Sequence, residues 1–260
     1  MPQKKYLKKG SKRPRKRPAK KQSIVNLVKS IVNRNEETKM ATNSYTLTNF
    51  NSAINGSGDY ITVLPQVALG TAQNQRIGGQ IKPVKLVIRG YLTYNADSFQ
   101  GARMLGTRMF CFSDKTCASY PVMTSAGNNY QLLDTGGSPA QFTGTAMNYI
   151  TPHNTDAFKW YADKKHVIQK PFGYTNTLSP SATNEITAMD KSMFKAFTIT
   201  IPVSKLPANL KFDESVSSTY PVNFAPFLAL GYCDLLGYPA DTVVTQLKME
   251  FSATLYYKDA

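Results

Sequence analysis

The first 22 residues, MPQKKYLKKGSKRPRKRPAKKQ, hold eleven lysines and arginines and no acid, and this limits what the chain can fold into. So dense a run of like charge, broken by Pro2, Pro14 and Pro18 and nearly bare of apolar side chains, cannot bury enough surface to offset the entropy of ordering it. Residues 1–22 are therefore expected to form a disordered basic arm, and the fold must come from the remainder. The charge is local. The arm supplies +11 of a formal +15, leaving 20 basic against 16 acidic residues in 23–260.

A cationic arm on a nearly neutral body points to a polyanion, and nucleic acid is the natural one. Lys4, Lys5, Lys8, Lys9, Lys12, Arg13, Arg15, Lys16, Arg17, Lys20 and Lys21 can each displace a counterion condensed on phosphate. Such binding is blind to sequence and loses strength with salt at a slope of roughly −0.7 per phosphate neutralised on a single strand. Within the arm, Lys12, Arg13, Arg15, Lys16 and Arg17 also spell a nuclear localisation signal. A solubility tail is the plainer alternative.

Residues 23–38 read as a tether or short helix. Ser23 is a candidate cap, Ile24, Leu27, Val28 and Ile31 follow helical spacing, and Glu36 and Glu37 close the basic region. The folded body is assigned to residues 39–260. It combines 28 Tyr and Phe with 16 Gly and 15 Pro in the whole chain, a punctuation typical of many strands and turns. Eight runs are expected as strands: 43–50, 60–64, 81–94, 104–112, 157–169, 194–203, 225–236 and 247–258. Gly90, inside the third, is expected to mark a bulge or bend. Eight strands joined by long loops suit one all-β antiparallel sandwich of two four-stranded sheets. The polar stretches 116–148 and 176–188 read as loops packed on something, a neighbouring subunit in an assembly.

Little in the chain suggests catalysis. His153 and His166 lie in no hydrolytic or metal-binding pattern, and the acids are scattered, so no catalytic residue, metal ligand or cofactor is expected. Cys111, Cys117 and Cys233 imply no disulfide framework and read as small buried hydrophobes. No signal peptide is evident, and the longest apolar stretch, 224–233, is too short to cross a bilayer, so no membrane association is expected. The more suggestive cations are Lys159, Lys164 and Lys165, interleaved with Trp160 and other aromatics as a nucleic-acid surface would be. A solvated strand face with Trp160 in the core is the competing account. Lys82, Lys85 and Arg89 form a weaker candidate group.

Arm, tether and one large β domain together resemble the capsid protein of small circular Rep-encoding single-stranded DNA viruses, the circovirus-like group. The likeness rests on Lys4–Lys21, on the segment from Gln75 through Arg76, Gly78, Gly79, Ile81 and Pro83 into Leu86–Gly90, and on Met249–Asp259. The arm departs from that group in favouring Lys over Arg. The resemblance implies an eight-stranded jelly roll without enzymatic activity. It also implies an icosahedral homo-oligomer of roughly 60 copies. The ligand would be a packaged single-stranded genome, DNA rather than RNA, with the virion and the host nucleus during assembly as locations. The host receptor is not specified. An RNA-virus shell protein and a cellular nucleic-acid-binding β domain remain the alternatives.

Overall fold

Alternating polar and apolar residues become long strands where the sequence places them, as a computed structural model of the chain shows. It describes residues 37–54, 59–94, 103–117, 119–120, 131–170, 193–213, 218–236 and 247–259. The arm, most of the tether and the 176–188 loop lie outside the described residues.

The strands are β1 (Lys39–Phe50), β2 (Ile61–Thr62), β3 (Gln80–Tyr94), β4 (Arg103–Asp114), β5 (Leu133–Asp134), β6 (Pro139–Ala140), β7 (Phe158–Lys170), β8 (Phe194–Pro202), β9 (Leu210–Lys211), β10 (Phe227–Asp234) and β11 (Leu247–Asp259). One five-residue helix, Ala146–Ile150, lies between β6 and β7. All pairing between these strands is antiparallel. One sheet runs β1-β11-β3-β8 with β9 added beside β3, a second runs β2-β10-β4-β7, and β5 and β6 form a separate hairpin. No helix among the described residues is long and apolar enough to cross a membrane.

The two sheets pack as a sandwich. Leu86, Ile88, Leu92, Phe197, Ile199, Phe251 and Leu255 from the first meet Leu105, Met109, Cys111, Leu228 and Leu230 from the second in one buried cluster. Burying each such side chain contributes about 1.5–3 kcal/mol, which makes this cluster the main source of stability. The expected bulge at Gly90 is absent. Pairing runs without interruption from Leu92 through Gly90 to Leu86, and the register instead shifts between Tyr256 and Tyr257, opposite the Val84 region. Gly90 is required for a different reason. A Cβ there would press on the Glu250 carbonyl oxygen and lie 2.8 Å from the Phe197 ring, so glycine lets the two phenylalanines of neighbouring strands close over β3.

A second apolar cluster lies outside the β2-β10-β4-β7 sheet. Phe110, Phe112, Phe227 and Ala229, with Phe158 of β7, project away from the main core and are covered by Ile54, Tyr60, Leu132, Leu133 and Phe142. The described part of the 116–148 stretch therefore packs on its own sheet. This third layer is also locked by charge. Arg108, 1% exposed, donates from Nε and Nη2 to the two carboxylate oxygens of Asp163 at 3.0 and 2.6 Å, and from Nη1 to the carbonyls of Asn148 and Thr151 at 2.7 and 2.5 Å. His153 Nδ1 lies 3.1 Å from the same carboxylate. Burial pushes the Asp163 carboxyl up, but the Arg108 guanidinium and His153 outweigh it and hold its pKa below 3.8.

Candidate nucleic-acid interface

Among the described residues the β1-β11-β3-β8 sheet has no such cover, and its outward side chains follow from period-2 alternation. Along β11 burial alternates almost strictly, placing Lys248, Glu250, Ser252, Thr254, Tyr256 and Lys258 outward. The register then fixes their neighbours. One row across the sheet reads Ser44, Ser252, Arg89 and Thr198, and the next reads Thr42, Thr254, Val87 and Thr200. Short hydroxyl side chains thus floor a shallow band two rows wide, with Arg89 exposed at its centre. Within it the hydroxyls of Thr42 and Thr254 are hydrogen-bonded at 3.0 Å.

Taller residues bank this band on both sides. On one side stand Met40, Tyr256, Lys85 and Pro202, with Lys258 opposite Lys82 beyond them. The Lys85 ammonium sits 4.6 Å from the centre of the Tyr256 ring. On the other side stand Glu250, Tyr91 and Ala196, then Lys248, Thr93 and Phe194. Tyr91 stacks on Phe194 with ring centres 5.1 Å apart, and Phe194 is half exposed. The Tyr91 hydroxyl donates to Glu250, a hydrogen bond that raises the phenol pKa. Among the described residues of β3 and β11, five cations, Lys82, Lys85, Arg89, Lys248 and Lys258, thus share a face with one carboxylate, Glu250.

Of the sequence candidates, Lys82, Lys85 and Arg89 come together here, on one side of β3. Lys159, Trp160, Lys164 and Lys165 do not form one surface, because β7 sends them to opposite sides. Trp160 joins the covered cluster, lying 5.5 and 5.3 Å from the Phe110 and Phe112 rings and donating from Nε1 to the Asn154 carbonyl at 2.6 Å. Lys165 lies on the same side, over the Tyr149 ring. Lys159 and Lys164 instead reach toward the other sheet, donating to the carbonyls of Lys205 at 3.0 Å and Thr198 at 2.7 Å. They act as straps across the edge of the sandwich. The eleven arm cations and the nuclear localisation residues lie outside the described residues.

Two further positions depart from their sequence appearance. His166 is half-buried toward the interior of the sandwich. Burial, with Lys164 and Lys195 nearby, pushes its pKa below 6.5, and its Nε2 makes no hydrogen bond among the described residues. Arg76, in the segment that carries the viral resemblance, is 2% exposed. Its guanidinium donates to the carbonyls of Gly78 and of Ser218 and lies 4.5 Å from the centre of the Phe212 ring. It anchors the turn that Gly78, at φ 90°, makes possible. The three cysteines are free and buried, and burial pushes the Cys111 thiol up to about 12.

The sequence reading missed Tyr91, Phe194, Lys248, Tyr256, Lys258 and the hydroxyl rows. A signal for the β11 members was present, since every second residue from Lys248 to Lys258 is polar or aromatic. Their alignment with β1, β3 and β8 depends on pairing between segments more than a hundred residues apart. Comparison with models of known protein families and with curated proteins finds no match to this chain.

Proposed function

We propose that this protein is a viral coat protein whose copies close into an icosahedral shell around a single-stranded genome. The observation that carries the proposal is the pairing of an eleven-cation arm with this strand order. Counting β1, β2, β3, β4, β7, β8, β10 and β11 as strands one to eight, the sheets run 1-8-3-6 and 2-7-4-5. That order supports a jelly roll, an architecture found in viral shells as well as lectins and cupins. Because one fold serves many functions, the arm decides between them. It supplies sequence-independent phosphate neutralisation. DNA as the genome, the nucleus as the place of assembly and the virion as the final location belong to the same proposal through the resemblance.

The test is electron microscopy of the purified full-length protein, with ultraviolet absorbance measured on the same fraction. Uniform closed particles absorbing as nucleoprotein are expected. A small monodisperse species that binds nucleic acid in solution would replace this proposal with the cellular binding domain.

A further inference from the structure

We infer that the open face of the β1-β11-β3-β8 sheet is a second nucleic-acid surface, on which a single strand lies in the hydroxyl-floored band. The inference rests on the proposed function only in taking single-stranded nucleic acid as the ligand.

Three observations converge on it. Charge differs between the two sides of the sandwich. Among the described residues, β3 and β11 carry five cations to one carboxylate on the open face, whereas on the covered side Arg108, Lys115 and Lys165 are set against Asp114, Asp134, Asp156 and Asp163. Shape is the second. Two rows about 7 Å apart, of small side chains except for Arg89, make a band that crosses four strands spaced about 4.8 Å apart, a track suited to an extended chain. Chemistry is the third. Arg89 offers a planar fork for a phosphate, Lys85 and Lys248 offer point charges, and the threonine and serine hydroxyls can donate to phosphate or sugar oxygens.

The rings decide between one strand and two. Tyr91 with Phe194 on one bank and Tyr256 on the other present aromatic groups beside the cations. A base can stack on such a ring only when it is not already stacked inside a duplex, and stacking of this kind tolerates any sequence. Glu250 takes part by holding the Tyr91 hydroxyl and so fixing the ring beside Phe194.

The experiment uses full-length protein and a fluorescent oligothymidylate. Binding is measured across a salt series for wild type, for the triple variant Lys85→Ala/Arg89→Ala/Lys248→Ala, and for Lys115→Ala, a cation beside the covering layer. The triple variant should flatten the slope of log K against log salt by about 2, from about 0.7 for each lost phosphate contact, while Lys115→Ala leaves it unchanged. Ultraviolet crosslinking of wild type should join thymidine to peptides containing Tyr91 or Tyr256. Thr198→Glu, on the exposed side of β8, should abolish those crosslinks and retain crosslinks to the arm, which guards against misfolding of the triple variant. An unchanged slope, or crosslinks confined to residues 1–22, would overturn this inference and leave the coat role standing. Failure of wild type to bind the oligonucleotide at all would overturn both. Equal binding of the open face to phosphatidylserine vesicles, with no crosslinks, would assign the face to an anionic membrane surface instead.

Discussion

Along β11 buried and outward-facing residues alternate, whereas all eight residues of β10 are buried. Both are internal strands of antiparallel sheets, so the contrast comes from what lies beyond them. β11 has the main core on one side and, on the other, hydroxyls and cations that no described residue covers. β10 has the main core on one side and the phenylalanine cluster with its covering layer on the other. The difference separates two roles within one sandwich. Substitutions on the covered side should alter stability, and substitutions on the open side should alter what the protein binds.

The widest separation is expected from Phe112→Ala. Phe112 is fully buried and packs against Tyr60, Phe158, Trp160 and Phe227, so truncation should cost about 3–5 kcal/mol in urea unfolding of the protein. A loss below about 1 kcal/mol would mean that the covering layer contributes little.

Next is Asp163→Asn, which leaves the Arg108 charge buried without its partner and should destabilise by about 3 kcal/mol at neutral pH. Because the folded carboxyl has a pKa held below its ordinary 3.8, its contribution is complete above that pH and is lost as pH falls through the depressed value. The stability curves of wild type and variant should therefore converge in acid. Parallel curves down to pH 2 would show that the Arg108 pair is not the acid-sensitive lock.

A smaller effect is expected at His166, whose folded pKa lies below 6.5. The folded state favours the neutral ring, so stability is complete above pH 6.5 and declines as pH falls from there toward the folded value. His166→Gln should flatten that part of the profile, as followed by thermal melting between pH 7 and 5. The smallest change belongs to the open face. Thr254→Ala should shift stability by no more than about 0.5 kcal/mol, and a larger loss would mean that this face is structural after all.

The long strands were legible in the sequence because period-2 alternation is local. The runs expected at 81–94, 194–203 and 247–258 correspond to β3, β8 and β11 within one residue at each end. The covering layer was hidden by its composition. Phe142 and the adjacent Leu132 and Leu133 are short apolar interruptions of a polar stretch, and only the folded chain brings them onto Phe110 and Phe112. A clue did exist in Phe227–Cys233, whose lack of alternation marks a strand with both faces buried. Trp160 and the lysines around it looked like a surface because linear proximity does not reveal which side of a strand each residue takes. The Arg108–Asp163 pair, 55 residues apart, carried no local signal at all.

The position of β11 bears on when the molecule can work. It comes last in the described chain, yet it sits between β1 and β3 and pairs along nearly its whole length with both. During synthesis β1 emerges more than 190 residues before the strand that joins it to the sheet, so the first sheet cannot close until translation reaches Asp259. The hydroxyl band and its central Arg89 exist only once that closure has occurred. The sheet surface would therefore form only after β11 has been synthesised and has paired with both of its neighbours.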